Sequence, residues 1–169
     1  MSIKNKWARG IMPRYFHWVI DQKLAVSERP GGYARNHRPV RRQEEIIWLR
    51  EEGFTRVVSL LTSPHNLNAY EQLGLVASQI PYPPATDPRE VVPELFAALD
   101  GWIGAGEKVL VHMEELSDQV MGIMAAYLLH AGFPGSHAQV IGFVERVVGR
   151  PMGPEGRLVV QATSGDEQA

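Results

Sequence analysis

The side chains best suited to chemistry in this chain fall in one stretch, His112-Met113-Glu114-Glu115-Leu116-Ser117-Asp118-Gln119. Carboxylates desolvated in a pocket have raised pKa values and can exchange protons near neutral pH. Glu114 and Glu115, with Asp118 and His112, are therefore candidate acid/base residues. Neighbours in an irregular loop need not point the same way, so the competing reading leaves both glutamates in solvent. His112 either orients the loop through hydrogen bonds or titrates. Asp118 and Gln119 either cap a helix and tie the loop or recognise a polar ligand. Met113, Ser117 and Gln119, with Tyr82 and Asp87 from a loop upstream, are the candidate substrate contacts; Asp87 is otherwise a turn residue before Pro88.

These residues need a frame. Lys108 to His112 reads as a buried strand and Gln119 to Ala131 as an apolar helix, so the acidic stretch joins the carboxyl end of a strand to the start of a helix. Open α/β sheets bind ligands at such junctions. Upstream, Tyr15 to Ile20 and Lys23 to Ser27 form a strand pair turned at Asp21-Gln22, and Arg29-Pro30-Gly31-Gly32 breaks the chain. Val40 to Glu52 has helical periodicity and stops at Gly53; Thr55 to Leu61 is a strand, Leu67 to Leu73 a short helix, and Leu75 to Ile80 a strand. The four prolines between Pro81 and Pro88 make a stiff loop before a helix over Arg89 to Ile103, with Pro93 near its first turn. His137 to Val148 is amphipathic, Arg157 to Ala162 is expected as an edge strand or ordered tail, and the end from Thr163 as frayed. The resulting division is an arm over 1–14, a domain over 15–150 and an extension over 151–169. Alternating strands and helices predict a single α/β domain with a mostly parallel central sheet flanked by helices.

The 169 residues suffice for one core, and 44% apolar content is in the globular range. The absence of cysteine excludes disulfides, thiolate metal sites and a cysteine nucleophile. His17, His37, His65, His130 and His137 lack metal-ligand spacing, so neither a metal nor a cofactor is expected. No signal-like or membrane-spanning run is present, which points to a cytoplasmic protein without membrane or nucleic-acid partners. Residues 1–50 hold 11 Lys/Arg against 4 Asp/Glu and the remainder 6 against 15. That asymmetry either meets an acidic partner or is neutralised across the fold. Arg41-Arg42 read more simply as a solvated helix start, and Met121 and Met124 as core, or with Met113 as an adaptable apolar pocket.

Taken in order, Trp18-Val19-Ile20 with Leu24-Ala25 and Ser27, Arg29-Pro30-Gly31, Trp48-Leu49, Glu52-Gly53, Val57-Val58-Ser59-Leu60, Ile80-Pro81-Tyr82-Pro83, Val109-Leu110-Val111-His112 and Ala125-Ala126-Tyr127-Leu128 resemble a small dual-specificity protein phosphatase of the cysteine-dependent tyrosine phosphatase superfamily. The resemblance spans roughly residues 15–148 and implies a dual-specificity-phosphatase-like fold. It also implies a His-Cys-x5-Arg loop, in which a thiolate attacks phosphorus, an arginine grips two phosphate oxygens and a mobile aspartate protonates the leaving group. By that correspondence Met113 stands at the cysteine, Gln119 at the arginine, Val120 at the following hydroxyl residue, and Leu116 and Asp118 at loop glycines. The loop acid falls near Pro84, three residues before Asp87. A thioether cannot ionise, so no phosphocysteine intermediate is open. Asp118 is expected as the N-cap of the following helix, worth about 1 kcal/mol, supplying an internal anion where phosphate would sit.

Three functions follow in order of preference: a repurposed acid/base enzyme on a small neutral or cationic molecule (isomerase, cyclase, lyase or hydrolase type), a pseudophosphatase that binds a ligand or scaffolds a protein partner, and a residual phosphatase by an unfamiliar route.

Overall fold

The computed structural model describes residues 10–33 and 38–163. Two short strands, β1 (His17–Ile20) and β2 (Leu24–Ser27), pair antiparallel across the Asp21-Gln22 turn. Then come α1 (Pro39–Glu51), β3 (Arg56–Ser59), α2 (Leu67–Gln72), β4 (Val76–Gln79), α3 (Pro88–Gly104), β5 (Val109–His112), α4 (Asp118–His130), α5 (His137–Val148) and α6 (Pro154–Thr163). The sheet order is β1-β2-β5-β3-β4, with every pair parallel except the first. This is the expected single α/β domain. β5 is central, paired with β2 and β3, so that Ser27 and Ser59 flank His112 at the carboxyl ends.

Side chains alternate across a strand, and here the alternation divides the core. Ala25, Val57 and Leu110 face one side with Ile46 and Leu49 of α1 and Tyr70 of α2. Val26, Val58, Val109 and Val111 face the other, against Leu95 and Leu99 of α3, Met121 and Met124 of α4, and Val144 of α5. Helix α4 is buried along nearly its whole length, as its apolar sequence requires. Met121 and Met124 are core residues.

The carboxyl-terminal segment corrects the sequence reading. Residues 154–163 are helical, so the edge strand expected over Arg157 to Ala162 is absent and the segment is ordered as a helix. Val159 and Val160 suggest a strand by local propensity, but both are buried against the core. Helix α6 lies against α4 at backbone distance. A Cβ at Gly122 would collide with the Gly156 carbonyl, and one at Gly156 with the Asp118 carbonyl. Tertiary packing therefore overrides β-propensity. Helix α3 likewise begins earlier than expected, with Pro88 in its first turn and Pro93 inside it. The frayed end expected from Thr163 and the unassigned His37 fall largely outside the described residues; Thr163 itself closes α6, its hydroxyl donating to the Val159 carbonyl.

The basic first third is partly neutralised internally. Arg41 is mostly buried between Glu45, 3.2 Å away, and Glu28 at 3.8 Å, so it is no solvated helix start. Glu45 also accepts from the Gly31 amide, where φ of +88° and the close approach of Arg42 both require glycine. No helix among the described residues is long and apolar enough to cross a membrane.

Candidate functional site

The loop from Met113 to Ser117 leaves the central strand at the carboxyl edge of the sheet, and alternation decides where its side chains go. His112 follows Leu110 onto the α1/α2 side, away from the loop's open face. There it is fully buried, its Nε2 2.7 Å from the Tyr70 hydroxyl and its Nδ1 2.8 Å from the Met113 carbonyl. The Asn66 amide donates to Tyr70 Oη and to the Pro30 carbonyl. Tyr70 therefore gives its proton to Nε2, and His112 carries its own on Nδ1, a tautomer assigned by this network. Burial pushes the His112 pKa down to about 4, so the ring is neutral at physiological pH. Its geometry is that of a loop tie, and Asn66 and Tyr70 are partners that local sequence did not signal.

Met113 turns to the opposite side and packs on the larger core. It forms part of the floor of a concavity of about 360 Å³, lined also by Leu60, Thr62, Tyr82, Pro84, Glu114, Glu115, Ser117, Gln119 and Glu155. The sequence-predicted residues Tyr82, Met113, Glu114, Glu115, Ser117 and Gln119 are thus brought together. A broader cleft of about 1100 Å³ shares Glu115, Ser117 and Glu155 and adds Asp118, Glu28, Tyr33 and Arg150. Met121 and Met124 line neither of these two, so they do not form an apolar pocket with Met113.

Each acidic residue of the loop has a distinct environment. Glu114 Oε1 is 3.2 Å from Arg29 Nη1, while the Glu114 carbonyl accepts from the Arg29 amide. Arg29 is buried and also donates to the Gly32 carbonyl, so Glu114 sets a negative charge against a buried positive one. Glu114 Oε2 is shut away from solvent and has no hydrogen-bond partner among the described residues. Glu115 accepts from the Tyr33 hydroxyl at 3.3 Å.

Asp118 is not the cap of α4. Ser117 occupies that position, its hydroxyl accepting from the Val120 amide. Asp118 is the first helical residue, and its carboxylate points sideways to Arg150 at 2.7 Å. The Arg150 hydrogen bond, aided by the Gly153 amide, holds Asp118 below the usual carboxylate range. The expected plug of the loop by its own anion is therefore absent; the charge is spent on joining α4 to the segment before α6.

Asp87 stands outside the pocket. It caps α3, accepting from the Arg89 amide at 3.0 Å, and the Arg89 guanidinium keeps its carboxyl below the ordinary range. Held ionised, it is no proton donor at neutral pH. Tyr82 is 2% exposed; among the described residues its hydroxyl has no partner of ordinary hydrogen-bond geometry, its nearest polar influence being a weak hydrogen bond with the Gln119 side chain. Burial raises the phenol pKa, so the proton is retained. No group of three or more His, Cys, Asp or Glu able to hold a metal occurs among the described residues.

The arrangement of sheet, loop and helix is shared with solved structures. Tk-PTP in its active form is similar over 90% of this chain and 97% of its own, with a TM-score of 0.70 at 20% identity. The fold is that of the dual-specificity and tyrosine phosphatases. Within this phosphatase fold, kinase associated phosphatase with its catalytic cysteine replaced by serine matches at 0.73 and 19% identity, covering 88% and 93% of the two chains. A human tyrosine phosphatase-like serine/threonine/tyrosine-interacting protein matches at 0.57 and 17%, covering 86% and 93%. Identities this low establish the phosphatase fold alone. No protein-family model and no curated sequence matches the chain.

Proposed function

We propose that this chain is a phosphatase-fold protein without phosphatase chemistry, whose concavity over Met113 binds a small neutral or cationic molecule. The observation that carries this reading is that three of the four acid/base candidates are committed to internal partners: Glu114 to Arg29, Asp118 to Arg150 and His112 to Tyr70. Each side chain has a structural task that a proton-transfer cycle would interrupt. Arg29 and Arg150 beside the loop are matched to carboxylates, and among the described residues the pocket lining holds Glu114, Glu115 and Glu155 without a lysine or arginine. An anion entering it meets like charge and no guanidinium fork. Met113 offers no thiolate and Gln119 no cation.

This shifts preference from the repurposed enzyme to the binding protein. One observation favours the enzyme as a second reading: Tyr82, buried and protonated, and Glu115, which has no arginine or lysine partner among the described residues, line the same pocket. They are a donor and an acceptor of protons on a bound neutral substrate.

Incubation with p-nitrophenyl phosphate tests the main reading. No release of nitrophenol above buffer is expected, and vanadate should leave thermal stability unchanged. Hydrolysis that scales with protein and disappears in Glu114→Gln would overturn it. Turnover of any neutral substrate abolished by Glu115→Gln would move the assignment to the enzyme.

A further inference from the structure

Away from the loop, a groove of about 640 Å³ runs along α5. Gln139, Gly142, Phe143 and Arg146 line it from one face of that helix, at the spacing i, i+3, i+4 and i+7. Two turns of helix span about 10 Å. Leu128, also in the lining, stands about 15 Å along α4 from Asp118, so the groove is separate from the concavity over Met113. Its opposite wall is Phe133, and the way α4 ends holds that residue in place. Gly132 takes a φ of +85°, its amide donates to the Leu129 carbonyl at 3.1 Å, and the Phe133 amide donates to the Leu128 carbonyl at 3.0 Å. This closing pattern sets the residue after the glycine against the last turn of the helix. Phe133 and Phe143 are 39% and 37% exposed. Single exposed apolar residues are ordinary, but two large rings bordering one groove are not.

The groove also holds a cation. A Cβ on Gly142 would lie 3.5 Å from Arg146 Nη1, so the guanidinium folds back one turn along α5 and stays over the groove. Among the described residues Arg146 meets no carboxylate, whereas Arg150 pairs with Asp118 and Arg157 with Glu145. No other charged side chain among the described residues lines the groove. Apolar walls with one unpaired cation fit an apolar chain that ends in one negative charge. Specific protein interfaces bury roughly 1,000 Å² or more, whereas a groove of this length has the dimensions of a small-ligand site. A guanidinium offers two parallel N–H donors to a planar carboxylate. Sulfate and phosphate heads bring further oxygens, and the Gln139 amide that would donate to them is two turns away. We propose that this groove binds a short unbranched aliphatic carboxylate, its head on Arg146 and its chain against Phe133 and Phe143.

Decanoate is the probe, with acetate, decylammonium and decyl sulfate as controls that change the chain, the charge and the head in turn. Binding is read on the full chain, labelled with nitrogen-15, from the amide resonances of residues 138–146. Decanoate should shift them saturably, and each control should bind at least about tenfold more weakly, the scale of one hydrogen bond to a charged group. Arg146→Gln should weaken decanoate by about tenfold or more. Because Arg146 holds no other group among the described residues, its melting temperature should match that of the wild type. Ala138→Trp, at an exposed helical position in the lining, should block the shift by filling the groove, again with melting temperature retained. Decylammonium binding as well as decanoate, or decanoate binding unchanged in Arg146→Gln, would overturn the proposal, since the groove would then be reading the chain alone. Decyl sulfate binding as tightly as decanoate would remove the carboxylate. The absence of a saturable shift also counts against it. Shifts of 138–146 that follow protein concentration without decanoate would give the groove to a second copy of the chain and equally end the proposal.

Discussion

The Tyr70 hydroxyl lies 2.7 Å from His112 Nε2 in the core beneath the loop, joining α2 to the last residue of the central strand. With Asn66 and the Pro30 carbonyl it ties three segments that are far apart in sequence. Tyr70→Phe keeps the ring's volume but leaves Nε2 and an Asn66 N–H without partners in a dry core. The expected cost is about 1–3 kcal/mol, read from urea unfolding. A loss near zero would mean that the network is not under tension with solvent and that the loop is held by packing alone.

The same histidine makes stability depend on pH. Its pKa is 6.5 when free of perturbation and about 4 in the fold, so the unfolded chain takes up the proton first as pH falls. The contribution is fully present above about pH 6.5 and is lost progressively between 6.5 and 4, for a total of about 3 kcal/mol. His17, lowered by burial, acts in the same direction, whereas Glu28, raised by burial, acts in the opposite one. The informative quantity is therefore the difference between wild type and His112→Asn. The wild type should show the steeper decline across that window; equal slopes would contradict a buried neutral imidazole.

Asp118 should behave as a strut between helices. Its carboxylate holds Arg150, and Arg150 in turn donates to the Leu116 carbonyl at 2.9 Å. Asp118→Ala should cost about 1–2 kcal/mol, a partly exposed pair being worth less than a buried one. Amide hydrogen exchange should quicken selectively in residues 154–163. If exchange there is unchanged while ligand binding is lost, Asp118 belongs to the binding surface instead.

Gly122 is required for a different reason from the turn glycines. Its φ is ordinary for a helix, but an added methyl would meet the Gly156 backbone. Gly122→Ala should therefore destabilise by about 1–3 kcal/mol through overpacking, even though alanine is the better helix former. Gly101→Ala in α3, where nothing lies within 4 Å of the new methyl, is the matching control and should be neutral or stabilising. Equal melting temperatures for the two variants would contradict the close seating of α6 on α4.

Sequence alone determined the sheet and most of the helices, because burial on one face or both imposes periods of 2 and 3.6 that survive without knowledge of neighbours. It also placed the acidic stretch between β5 and α4 and brought Met113, Glu114, Glu115, Ser117, Gln119 and Tyr82 to one pocket. Helix α6 escaped it. Residues 154–163 carry a mixed local pattern, and the contact that decides their conformation is a glycine pair 34 positions apart, Gly122 and Gly156. The charged residues escaped it for the same reason. Glu114 meets Arg29 across 85 positions, and Asp118 meets Arg150 across 32. Local sequence states which groups can ionise. Which of them are already paired, and so which are left to meet a ligand, depends on distances that exist only once the chain has closed on itself.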